Sequence, residues 1–185
     1  MKELVFKSII ASFVVSIGMA TFFSAPSPLG AILFAFGLIA ICNQELNLFT
    51  GKSWLILYNT PAKEVFLILV INAISAYFFG YLLSISNPEF YTLAINKMAN
   101  WNWSLQTFIQ AFMCGAIMFF CVTLHKSNQI LGIVYGVPAF IWCGFHHCIA
   151  NMVVMGMASS FNGVIILHIF GNFIGALTFA CMMKK

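Results

Sequence analysis

Apolar residues fill this chain in long stretches, and the polar residues between them set the elements. The stretches run over roughly 5–24, 29–58, 62–85, 105–124, 129–158 and 163–183, with polar interruptions inside the second and the fifth. A helix needs ~20 apolar residues to cross a bilayer. The pattern therefore predicts an all-α membrane protein of six transmembrane helices, the second and fifth of them broken. Pro26 and Pro28 mark the first turn and Asn59-Thr60-Pro61 the second. Asn87-Pro88 opens the longest connector, which ends at Asn100-Trp101-Asn102-Trp103. Trp101 and Trp103 are expected at the level of the lipid headgroups.

The polar and small residues recur in the same order in both halves. Asn72-Ala73-Ile74-Ser75-Ala76 echoes Asn172-Phe173-Ile174-Gly175-Ala176, and Leu29-Gly30 echoes Leu131-Gly132. Gly18 and Gly115 precede Phe-Phe pairs, and Thr50 and His147 sit at the two interruptions. With three spans each, the halves (roughly 1–86 and 100–185) cross the membrane in opposite senses, an inverted 3+3 repeat within one transmembrane domain, 1–185. Lys2 and Lys7, an apolar run to Phe23 and then Ser24-Ala25 also fit a secretory signal peptide. Because that run has a counterpart in the second half, it is read as the first span.

Composition agrees with lipid as the solvent: 62% of the 185 residues are hydrophobic and 6% charged. All eight basic residues are Lys. Lys2, Lys7, Lys63, Lys126, Lys184 and Lys185 fall on one side of a six-span arrangement, against Lys97 on the other; Lys52 lies in the first interruption. That bias predicts cytoplasmic termini in the cell (inner) membrane. A net charge of +4 spread over short connectors gives no nucleic-acid footprint. The six cysteines all lie in apolar runs and read as buried hydrophobes.

Chemistry concentrates at the interruptions. Gly144-Phe145-His146-His147-Cys148-Ile149-Ala150-Asn151-Met152 sets two imidazoles and a carboxamide at membrane depth, where polar side chains are costly and usually functional. An imidazole with an ordinary pKa of about 6.5 can offer a proton or an N–H to a small anion. Backbone N–H groups freed by a helix break can also point at negative charge. Asn151, one turn after His147, is expected to share a hydrogen bond with it.

This signature resembles the G-F-E-H-[SC]-[IV]-A-N-M of the formate/nitrite transporter family. Asn47-Leu48-Phe49-Thr50-Gly51 resembles that family's [DE]-L-F-T-[GS] loop, and Gly171-Asn172-Phe173-Ile174-Gly175 its G-N-[IL]-[IV]-G. The resemblance runs through all six stretches in order. It implies a homopentamer of aquaporin-like protomers in the bilayer, each with a pore for a small monovalent anion or its conjugate acid: formate, nitrite, lactate or hydrosulfide. It implies that His147 is the central pore histidine with Thr50 beside it, joined by Asn151 and His146. Leu48, Phe49, Phe34 and Leu38 would form the constriction on the loop side, and Phe140 the other. Asn47, Gly51, Asn72 and Asn172 would support the breaks. The chain departs from the family in carrying His146 and Asn47 where carboxylates are usual. Glu45 stands near the second of these, and Lys97 is a distant candidate for the family's vestibule lysine.

Two other readings remain at this stage. A neutral-solute channel for hydrogen sulfide, ammonia or water needs the same pore without ion passage. An intramembrane metal site would use Cys143, His146, His147 and Cys148, although adjacent helical residues diverge by about 100°. No nucleophile–base pair, phosphate loop or carboxylate pair is present, so neither an enzyme nor a cofactor is expected.

Overall fold

The computed structural model describes residues 1–25 and 28–184. The turn marker Pro26 and the terminal Lys185 lie outside the described residues. The elements are α1 (Lys2–Ser24), α2 (Leu29–Asn43), α3 (Phe49–Lys52), α4 (Ala62–Ser86) and α5 (Glu89–Met98). They continue with α6 (Leu105–Lys126), α7 (Leu131–Trp142), α8 (Cys148–Met157) and α9 (Ile165–Met183). A 3₁₀ turn, Ser53–Tyr58, follows α3. Among the described residues there is no strand. Helices close their own backbone hydrogen bonds, which is what an apolar solvent demands. By length and composition, α1, α4, α6 and α9 can each cross a membrane alone. The interrupted stretches are α2 followed by α3, and α7 followed by α8.

The longest connector is not structureless. Asn87 Oδ1 accepts from the Glu89 N–H at 3.1 Å, Pro88 precedes the first turn, and α5 follows. Phe90, Ala94 and Met98, spaced four apart, are its buried face. The same connector carries Trp101 inward. Only 7% of it is exposed, so it packs within the protein rather than facing outward, whereas Trp103 is 63% exposed.

Close helix approach depends on glycine at two crossings. A Cβ on Gly80 would clash with the Val153 carbonyl, and one on Gly156 with the Tyr77 carbonyl, where α4 crosses α8. In the same way Gly115 of α6 lies against the Asn172 carbonyl and Gly175 of α9 against the Phe112 carbonyl, where those two helices cross.

The two breaks are built alike. After α2 the chain reverses through Glu45 (φ 51°), and the Leu46 N–H returns to the Ile41 carbonyl at 2.9 Å. After α7 it reverses through Gly144 (φ 69°), and the Phe145 N–H returns to the Phe140 carbonyl at 2.9 Å. Each is a left-handed helix stop of the Schellman kind. Asparagines then clamp the free ends. Asn72 Oδ1 accepts from the Phe49 N–H at 2.8 Å, while Nδ2 donates to the Ser8 and Asn47 carbonyls at 2.8 and 3.0 Å. Asn172 Oδ1 accepts from the Cys148 N–H at 2.8 Å, and Nδ2 donates to the Ala111 and His146 carbonyls at 2.8 and 2.7 Å.

These bonds correct the register read from sequence. Leu48 and His147, the N-caps of α3 and α8, occupy corresponding places, and Thr50 stands two residues after Leu48. Gly115 faces the Asn172 carbonyl, as the Ser12 hydroxyl faces that of Asn72 at 3.2 Å, so its counterpart is Ser12 and not Gly18. Gly30 lies against the Phe22 backbone, and Gly132 against the Leu124 side chain.

Candidate functional site

Both breaks meet at the centre of the bundle. His147 is 3% exposed and Thr50 fully buried, and their Nε2 and Oγ1 atoms are 2.9 Å apart. His147 also caps α8, its Nδ1 accepting from the Ala150 N–H at 3.1 Å. With Nδ1 an acceptor, a neutral ring carries its hydrogen on Nε2 and donates it to Thr50. The Thr50 hydroxyl hydrogen is then free. Phe140 stacks on His147, with ring centroids 5.7 Å apart and planes 23° apart.

Cavities lie on either side of this pair. The far cavity, about 330 Å³, is bordered by Lys97, Trp101, Gln110, His146 and Asn151, and narrows at Phe34, Phe140 and His147. The near cavity, about 570 Å³, opens beside Glu45, Lys52 and Lys126, and narrows at Leu38, Ile41 and Leu48. Between the narrowings is a void of only about 10 Å³, bordered by Phe34, Phe140, Leu38, Leu48 and His147. Lys7 and Met1 share a surface groove with Glu45 and Lys52, and Lys184 bonds the Leu57 carbonyl. Both described ends of the chain thus lie on the near side.

Phe34 meets Phe140 edge-on at 6.3 Å and borders both the far cavity and the void that it shares with Leu38 and Leu48. Other expected side chains stand elsewhere than foreseen. Phe49 turns away from the passage, stacking on Phe173 at 6.4 Å beside an outer apolar groove. The first residue of a one-turn helix points opposite to its cap, so Leu48 faces inward and Phe49 outward. Asn151 does not bond the His147 ring. Its Nδ2 lies 3.1 Å from His168 Nδ1 and 3.5 Å from His146 Nδ1. The N–H groups of Phe49, Cys148 and Ala150 are all taken by side chains, which removes them from the donors an anion could use.

Asn47, in the carboxylate position, accepts from Lys52 Nζ and donates to the Leu4 carbonyl at 3.2 Å. Gly51 borders the near cavity, and its carbonyl accepts from Trp54 Nε1 at 3.1 Å. Lys97 reaches the far cavity with its ammonium 5.5 Å from the Phe22 ring, and burial holds its pKa below the ordinary lysine value. Sequence reasoning left His168 unassigned and missed its partner Trp101. Among the described residues no three His, Cys, Asp or Glu side chains gather as a metal site, and Cys143 is exposed while Cys148 is buried.

The fold and these apolar spans define a multi-pass helical membrane protein. No family model matches the chain. An uncharacterized transporter, YrhG of Bacillus subtilis (strain 168), is 26% identical over 185 residues, covering 84% of this chain and 70% of the relative. The formate channel BtFdhC of Bacillus thuringiensis is 26% identical over 193 residues, covering 85% and 74%. Among solved structures, a pentameric formate channel with formate bound superposes with a TM-score of 0.78 at 18% identity, over 98% of this chain and 94% of that one. An ion channel of the FNT family gives 0.76 at 16%, over 97% and 87%. The chain is thus similar in sequence to a transporter and to a formate channel, shares the fold of the FNT-family channels, and carries a Gly144–Met152 signature that resembles that of the formate/nitrite transporter family.

Proposed function

We propose that this protein is a channel for small monovalent weak-acid anions such as formate, nitrite or hydrosulfide, which cross its centre as their conjugate acids. The observation that carries the reading is a single buried imidazole bonded to Thr50 between two apolar narrowings, each opening to a wider cavity. An ion stripped of water among Phe and Leu side chains meets a large desolvation cost, which its neutral acid escapes. Lys97 gives the far cavity a cation and Lys52 and Lys126 do so for the near one, while His147, held from behind by the fully buried Thr50, borders the constriction. Passage as the neutral acid carries one proton with each anion.

Six spans in an inverted 3+3 repeat are the arrangement this function uses. Its support is the paired stops, the paired asparagine clamps and the shared carbonyl contacts of Ser12 and Gly115. The homopentamer, with cytoplasmic termini in the cell membrane, is supported by the pentameric formate channel and by the lysine bias. A second reading, a channel for neutral solutes only, is favoured by the 10 Å³ apolar void and by the bonding of both His147 nitrogens within the protein.

Formate uptake into proteoliposomes tests the first reading. Uptake should rise as external pH falls, and His147→Ala should flatten that dependence. Absence of formate uptake together with passage of hydrogen sulfide would leave the neutral-solute reading in its place.

A further inference from the structure

His168 on α9 is fully buried and does not border the passage, yet it lies directly behind a residue that does. Its ring stacks on His146 with centroids 4.2 Å apart and planes 18° apart. Trp101 meets His168 edge-to-face at 5.0 Å and His146 at 6.3 Å, closing the pair from the connector side. Asn151 Nδ2 lies 3.1 Å from Nδ1 of His168 and 3.5 Å from Nδ1 of His146. A carboxamide nitrogen only donates, so both Nδ1 atoms accept, and each neutral ring carries its hydrogen on Nε2; that of His168 is buried without a protein acceptor. The backbone of His146 is fixed independently, its carbonyl accepting from Asn172 at 2.7 Å. Among the described residues, His146 Nε2 is absent from the buried unpartnered atoms and has no protein bond, which leaves it open to the far cavity.

We propose that His168 is a positioning residue: with Asn151 and Trp101 it holds His146 as the Nε2–H tautomer facing the far cavity, making His146 an imidazole donor to the anion ahead of Thr50 and His147. The proposal rests on the anion-channel reading for its functional part. Its structural part, the tautomer, stands apart from transport. A second imidazole also gives a reason for His146 in the position where related sequences carry a carboxylate: it turns a repulsive group into a donor.

His168→Phe keeps the stacked ring and removes the acceptor for Asn151, whereas His168→Gln supplies a carbonyl oxygen in its place. In proteoliposomes His168→Phe should raise the KM for formate roughly three- to tenfold, with a smaller effect on maximal flux. His168→Gln should recover most of that loss. His146→Phe should raise KM similarly, and adding His168→Phe to it should change little further, because one residue acts through the other. Nitrogen-15 spectra of histidine-labelled protein, assigned with His146→Gln, should show His146 protonated at Nε2 in the wild type and mixed in His168→Phe. An unchanged KM in His168→Phe, or additive effects in the double variant, would overturn the proposal. Should His168→Phe fail to assemble, the wild-type spectrum decides: a His146 ring protonated at Nδ1 refutes it. If wild-type protein admits no formate, the channel reading fails while that spectrum still tests the tautomer.

Discussion

Thr50 and His147 act as one unit, because each nitrogen of the neutral ring already has a partner and the threonine hydroxyl is that of Nε2. Thr50→Val preserves the shape and leaves a buried Nε2–H unpaired. Formate uptake by this variant should fall about tenfold or more, in line with the loss of the hydrogen bond that fixes the central imidazole. A stopped-flow pH readout in liposomes measures it directly. Glu45 offers a second residue-scale test. It occupies a left-handed conformation that costs a non-glycine residue about 1–2 kcal/mol, whereas Gly144 fills the corresponding place freely. Glu45→Gly should therefore raise stability by about 1 kcal/mol, read as a higher unfolding temperature in detergent.

At the scale of elements, the asparagine clamps hold the breaks open as stable structure. Each ties a carbonyl of a spanning helix (Ser8 in α1, Ala111 in α6) to its break, where it bonds an N–H and a carbonyl that have no helical partner. Asn72→Leu or Asn172→Leu leaves those groups unsatisfied in a water-poor interior and should cost about 2–4 kcal/mol. Thermal denaturation with a thiol-reactive dye would register the loss. The breaks were legible in the chain because polar residues inside an apolar run have no bland explanation, and Asn72 and Asn172 could be paired by their neighbours. Side-chain direction was not legible. With lipid on one side and packed protein on the other, both faces of a helix are apolar, so hydrophobic periodicity carries no phase. Only the resemblance puts Phe49 at the constriction, and the pattern gives His168 no direction. Helix α5 escaped notice because Phe90, Ala94 and Met98 mark its buried face too sparsely to stand out in a polar connector.

The whole molecule presents two unlike mouths to the two sides of the membrane. Replacing the exposed Cys143 and Cys181 first, single cysteines at Asn43 and Asn102 should react with an impermeant maleimide from opposite sides of a sealed vesicle. Asn43→Cys should label from the side that carries the termini, and labelling of both from one side would contradict the arrangement of cavities.

A proton moves through water by hopping along an unbroken file of molecules. A void of about 10 Å³ holds at most one water, and phenylalanine and leucine side chains stand above and below it. No such file can form between the mouths. On the proposed reading, in which anions cross only as their conjugate acids, such a barrier lets a cell keep this protein in its membrane without short-circuiting the voltage and acidity difference that power it.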